Sequence, residues 1–141
     1  MATILIVDDD ATIRTVIIQA LKSEGHQVFS AADGKEGMWH SRAVRPDLII
    51  TDLFMPIQEG LELIKGLRAQ FPHIAILAIS GTSVASRAML SVALELGATT
   101  TLEKPFDKET LLTMVDKTLE IKPPRGGFSA DNMAPILPEN D

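Results

Sequence analysis

Apolar residues in this chain come in blocks whose spacing switches between two periods. Residues 4–7 read ILIV, with no polar position among them. A short, β-branched apolar run of this kind predicts a strand buried on both faces. Ile13, Val16, Ile17, Ala20 and Leu21 then follow at the spacing of one helix face. Asp10 or Thr12 can cap the start of that helix, and Gly25 can end it. QVFS (27–30) predicts a short second strand. Asp33 to about Arg42 predicts a second helix, because Asp33 and Glu36 have capping-box spacing, although Gly34 and Gly37 oppose it. DLIITD (47–52) predicts a third strand, apolar until Asp52. Leu61, Ile64, Leu67 and Arg68 mark a third helix, stopped near Pro72. IAILAIS (74–80) predicts the fourth strand. Ala85, Ala88, Met89, Val92, Ala93 and Leu96 line one face of a fourth helix, ended at Gly97. TTTLE (99–103) predicts a weaker fifth strand, and Leu111, Leu112, Val115 and Leu119 line a fifth helix.

Five strand–helix alternations with continuously apolar strands predict an α/β domain. Its parallel sheet should be covered by helices on both faces, with right-handed crossovers. In such doubly wound sheets, sites form beyond the carboxyl ends of the strands, at a topological switch point. The first strand ends in Asp8, Asp9 and Asp10, and the third in Asp52. The fourth ends in Ser80-Gly81, and the fifth in Glu103-Lys104-Pro105. Each of these strands therefore delivers a polar group to one edge.

Composition narrows the classes. The 141 residues suit one domain, and 45% hydrophobic content is enough for a core. The net charge of −6 argues against nonspecific binding to nucleic acid or anionic membranes. The absence of cysteine excludes disulfides, thiolate metal sites and cysteine nucleophiles. No stretch approaches the roughly 20 apolar residues of a membrane span, and the N-terminus has no basic region of a signal peptide. A cytoplasmic domain is the expectation. After Ile121 the composition shifts. KPPRGGFSADNMAPILPEND (122–141) has four prolines, two glycines and no helical period, and reads as a tail or linker. It nevertheless contains Phe128, Met133, Ile136 and Leu137. His26, His40 and His73 show no ligand spacing and read as surface residues; Trp39 reads as partly buried packing.

Three adjacent acids repel one another and raise each other's pKa. A chain tolerates them by exposing them to water or by holding a cation. Mg²⁺ prefers oxygen ligands and keeps several waters, so two or three protein oxygens suffice. Lys104 is then surplus to the metal. Its charge makes sense if an anion also arrives, and a phosphoryl group fits, with Ser80 donating to one of its oxygens. A carboxylate can be the attacking nucleophile, giving an acyl phosphate. Asp52, the lone acid ending the third strand, is the best candidate, with Asp8 and Asp9 holding the metal.

The segments ILIVDDD, ADGKEG, PDLIITDLFMPIQEG, AILAISG, LGA and LEKPF occur in this order over about residues 3–121. In these segments the chain resembles the receiver domain of bacterial two-component response regulators, the family of the single-domain chemotaxis regulator. The resemblance implies a flavodoxin-like, CheY-like (βα)₅ fold with strand order 2-1-3-4-5, a receiver over 1–121 and a tail over 122–141. It implies that Asp52 accepts a phosphoryl group from a phosphohistidine of a sensor histidine kinase or histidine phosphotransfer protein. Asp9, Asp52 and the backbone carbonyl of Phe54 would ligate Mg²⁺, and Asp8 would orient a metal-bound water. Ser80 would be the switch hydroxyl, Lys104 would pair with the phosphate, and Gly81 would leave room for the donor. The Lys104–Pro105 bond would be cis.

The family usually has an aromatic residue three positions before the lysine; here it is Thr101. The aromatic part of the switch is therefore missing, and the readout is expected to use loop or helix shifts instead or to be weak. The resemblance also implies that Phe54 and Thr82 would flank the path of the hydrolytic water. Phe54 cannot position a water, so the phosphoryl lifetime should be long, and Phe54→Asn should shorten it.

The chain is then a phosphoacceptor signalling protein rather than an enzyme, a monomer or weak dimer. Its output goes to a protein partner through the fourth-helix, fifth-strand, fifth-helix face, or onward as a phosphorelay. An aspartyl-nucleophile phosphatase resembling the haloacid dehalogenases needs a second acid two residues after Asp52, where Phe54 stands. A flavodoxin-like cofactor binder needs a phosphate loop where three acids stand. A pseudo-receiver that is never phosphorylated would not need the intact Asp52, Ser80 and Lys104.

Overall fold

The computed structural model describes residues 1–122 apart from Phe54, Pro56 and Thr82, and the side chains of Ile57, Gln58 and Glu59 are also left out. The expectations for Phe54, Thr82 and the tail beyond Lys122 lie outside the described residues. The elements follow in strict alternation: β1 (Thr3–Val7), α1 (Ala11–Ser23), β2 (Gln27–Ala31), α2 (Gly34–Val44), β3 (Leu48–Asp52), α3 (Ile57–Gln70), β4 (Ala75–Ser80), α4 (Val84–Leu96), β5 (Thr100–Glu103) and α5 (Lys108–Ile121). All ladders are parallel and the order is β2-β1-β3-β4-β5.

The pleat divides each strand between two cores. Ile4, Ile6, Ile50, Leu77 and Ile79 face α1 and α5, where Ile17, Leu21, Leu111 and Val115 meet them. Leu5, Val7, Ile49, Ile76 and Ala78 face α2, α3 and α4, meeting Ile64, Leu67 and Ala93. Because both faces are covered, β1, β3 and β4 are apolar at successive positions rather than at alternate ones. β2 and β5 lie at the edges and are only partly buried.

Capping fixes where the helices start. Asp10 rather than Thr12 caps α1, its carboxylate accepting from the amides of Thr12 and Ile13. Asp33 accepts from the Glu36 amide, and Glu36 reaches back to the Ala32 amide at 2.6 Å. Gly60 allows a close approach. A Cβ there would lie 3.2 Å from the Leu53 Cα and 3.4 Å from the Asp52 carbonyl oxygen. The first turn of α3 thus packs directly on the backbone that carries Asp52.

Three expectations are corrected. On α4 the buried positions are Ser86 and Ala93, with Met89, Leu90 and Leu96 partly buried, whereas Ala85, Ala88 and Val92 are exposed. The helix is rotated from the face its apolar spacing suggested, because small residues made that spacing ambiguous. Val16 is 60% exposed and Trp39 63% exposed, so neither is core. His26 and His40 are half-buried rather than on the surface: the His26 Nδ1 accepts from the Ala2 amide at 3.0 Å, and the His40 ring lies edge-on to Trp39.

Candidate functional site

The chain leaves β1 outward to β2, then returns across it to β3 on the other side. That reversal opens a crevice between the ends of β1 and β3. Val7 and Thr51 are register partners, so Asp8 and Asp52 emerge side by side from it. Oxygen atoms of Asp8, Asp9 and Asp52 lie within 4.8 Å of one another. Asp8 and Asp52 are buried and Asp9 is exposed, giving a site that opens to solvent on one side. These are hard oxygen donors at a spacing one divalent cation can span, so the residues fit Mg²⁺.

Lys104 reaches the site from the end of β5. Its ammonium donates to the Asp52 Oδ2 at 2.9 Å, with the lysine side chain 20% exposed and the aspartate 3%. Its amide donates to the Ser80 carbonyl at 2.7 Å, tying the ends of β4 and β5 together. The Lys104–Pro105 peptide is cis. Ser80 is buried, and its hydroxyl donates to the Ser86 carbonyl in the first turn of α4 at 3.1 Å. Ser83 caps that turn: its hydroxyl accepts from the Ser86 amide and lies 2.8 Å from the Ser86 hydroxyl. Gly81, directly after Ser80, is buried. Thr101 is half-buried on β5, level with Ala78.

The electrostatic conflict falls on Asp8. Burial pushes its carboxyl up from the ordinary 3.8 to about 6. The Asp10 amide, donating to Oδ1 at 2.8 Å, pulls the other way, the neighbouring Asp52 charge adds to the rise, and Lys104 offsets part of it. A buried carboxylate whose charge is costly alone is stabilised by a cation.

One residue was not singled out by its sequence context. Arg14 folds back from α1 and donates through Nη1 to the Asp8 carbonyl at 2.5 Å. The only signal for it was a cation four residues after the acid cluster.

The response regulator receiver domain profile matches residues 4–116. The chain belongs to that family. It is 34% identical over 119 residues to the sporulation initiation phosphotransferase F of Bacillus subtilis, covering 84% of this chain and 94% of that protein. It is 38% identical over 131 residues to the DNA-binding transcriptional regulator NtrC of Azospirillum brasilense, covering 92% of this chain but 27% of that protein. Among solved structures, the chemotaxis response regulator CheY4 of Vibrio cholerae superposes with a TM-score of 0.73 at 35% identity, over 84% of this chain and 99% of that one. Five parallel strands in the order 2-1-3-4-5 with five helices make this receiver a flavodoxin-like, CheY-like α/β domain, and its function is two-component signalling. No helix among the described residues is long and apolar enough to cross a membrane.

Proposed function

We propose that residues 1–121 form a cytoplasmic receiver in which Asp52 takes a phosphoryl group from a phosphohistidine of a sensor kinase or histidine phosphotransfer protein. The observation that carries this is the contact of the Lys104 ammonium with Asp52, beside oxygens of Asp8 and Asp9 within 4.8 Å. An acid, a cation and two further carboxylates at one crevice are what transfer to a carboxylate requires. An Asp52 oxygen attacks phosphorus, the donor's P–N bond breaks, and the imidazole nitrogen leaves with the bonding pair. Asp52 becomes an aspartyl phosphate. Lys104 then pairs with a phosphoryl oxygen instead of the free carboxylate.

Mg²⁺, when bound, supplies a dication that offsets phosphoryl oxygen charge. Asp9 and Asp52 would ligate it, with the Phe54 carbonyl, and Asp8 would orient a bound water. The Ser80 hydroxyl has one proton, now given to the Ser86 carbonyl. Turning it to a phosphoryl oxygen would release the first turn of α4. With Thr101 in place of an aromatic residue, this tether is the route by which phosphorylation reaches the α4–β5–α5 face and a protein partner there. Residues 122–141 would be a tail or linker.

The test is intact mass after incubation with acetyl phosphate, with and without Mg²⁺. The expected result is a single phosphate-sized increase that requires Mg²⁺ and is absent in Asp52→Asn. Labelling of Asp52→Asn to the same extent would overturn the assignment.

A further inference from the structure

Arg14 takes no part in the proposed phosphoryl transfer. It stands in the second turn of α1, near the positive end of the helix dipole, where a cation is disfavoured. The acid at this helix end is the N-cap Asp10, whose carboxylate is taken up by the Thr12 and Ile13 amides. The Arg14 guanidinium instead turns back to the end of β1 and donates to the Asp8 carbonyl. That carbonyl belongs to the peptide joining Asp8 to Asp9, whose atoms are coplanar. Holding its oxygen therefore sets the direction in which the chain presents Asp9. Two other polar groups of Asp8 are also held. Its amide donates to the Ala31 carbonyl at 3.2 Å, and its Oδ1 accepts from the Asp10 amide at 2.8 Å. Asp9 is exposed, so its placement depends on the backbone before it.

We propose that Arg14 is a positioning residue of the cation site. Through the Asp8 carbonyl it fixes the peptide that orients Asp8 and Asp9 toward a divalent ion. This rests on the reading of Asp8, Asp9 and Asp52 as the Mg²⁺ site. Charge and geometry have opposite signs here. If Arg14 acted through its charge, removing it from beside three carboxylates would tighten Mg²⁺ binding. As a positioning residue, its removal loosens the site and weakens binding, as loss of outer-shell partners of metal ligands does.

The experiment is a calorimetric Mg²⁺ titration of the full chain, wild type against R14M and R14K. Thermal melts in chelator check folding. R14M keeps the apolar stem without the donor, and R14K keeps the charge without the guanidinium's reach and fork. R14K also keeps the test open if R14M does not fold. The expected result is Mg²⁺ affinity about tenfold weaker in both variants. The rate of labelling by acetyl phosphate should recover at saturating Mg²⁺. Unchanged or tighter binding in R14M, or wild-type affinity in R14K, overturns the positioning role while leaving the cation site standing. A wild-type protein that binds no Mg²⁺ removes the cation site itself, and the role of Arg14 with it.

Discussion

At Asp8, burial and charge pull in opposite directions. Its carboxyl is raised to about 6 in the folded protein, so between about pH 4 and pH 6 the folded state binds a proton that the unfolded state has released. The contribution of Asp8 to the stability of the metal-free protein therefore falls as pH rises through that window, and is fully lost above it. Asp8→Asn keeps the oxygen that accepts from Asp10 but carries no charge. It should raise metal-free stability at pH 7 by about 2 kcal/mol and give no benefit near pH 4. Urea midpoints of both proteins in chelator, at the two pH values, check this; parallel pH curves would refute it. Thr51 poses a different problem. Its hydroxyl is fully buried and has no hydrogen-bond partner among the described residues. Thr51→Val removes an unpaired polar atom at nearly constant shape, and should be neutral or stabilising by up to about 1 kcal/mol in the same assay.

Element ends are held by side chains that reach across to other elements. Arg68, late in α3, donates twice to the Gly97 carbonyl after α4, at 3.1 and 2.7 Å, and also to the carbonyls of Phe71 and Pro72. One cation thus satisfies carbonyls at the ends of two helices, where the dipole favours it. Gly97 has φ +125°, and a Cβ there would lie 2.9 Å from the Arg68 Cγ. Gly97→Ala should therefore destabilise by roughly 2 kcal/mol, through backbone strain and displacement of Arg68. Arg68→Met should cost about as much through the lost hydrogen bonds. Made together, the two changes should cost less than the sum of their separate effects, because each breaks the same joint. A double-mutant cycle measured by chemical denaturation tests that coupling. Three residues after Gly97, Thr100 at the start of β5 pairs with the Thr118 hydroxyl at 2.6 Å, and Thr118 donates to the Met114 carbonyl. With Thr118's proton already committed, Thr100 is the donor, and this bond anchors edge strand β5 to α5.

Across the whole molecule, Mg²⁺ binding at the proposed site would be linked to folding. Asp8, Asp9 and Asp52 meet only when β1 and β3 are paired, so Mg²⁺ should stabilise the folded state selectively. At a Mg²⁺ concentration of about 100 times Kd the gain should be about 2.7 kcal/mol, visible as a rise in Tm. Asp52→Asn, with one proposed ligand weakened, should show a smaller rise at the same Mg²⁺ concentration; an equal rise would place the ion elsewhere. The Ser80–Ser86 hydrogen bond extends the linkage to α4. A state that engages the Ser80 hydroxyl at the crevice gives up a bond to the first turn of that helix.

Read alone, the sequence determined the elements, because period and capping are local properties. ILIV and AILAIS could be little else than doubly covered strands, and Asp33 with Glu36 announced a helix start. It also placed Asp8, Asp9, Asp52, Ser80 and Lys104 at one edge, since strand ends in a parallel α/β sheet share that edge whatever the detailed packing. Tertiary structure decided the questions of rotation and partnership. The small residues of α4 fit more than one face, and only packing on the sheet buried Ser86 and Ala93 while leaving Ala88 and Val92 in water. Val16 and Trp39 are apolar at core-like spacing, yet the neighbouring helices do not cover them. Nothing in the sequence marked Arg14, and Arg68 was marked only as part of a helix. Their partners are backbone carbonyls supplied by other elements, and carbonyls carry no sequence signal. The same reason hid the tether of Ser80: its partner is the carbonyl of Ser86, which any residue at that position would provide.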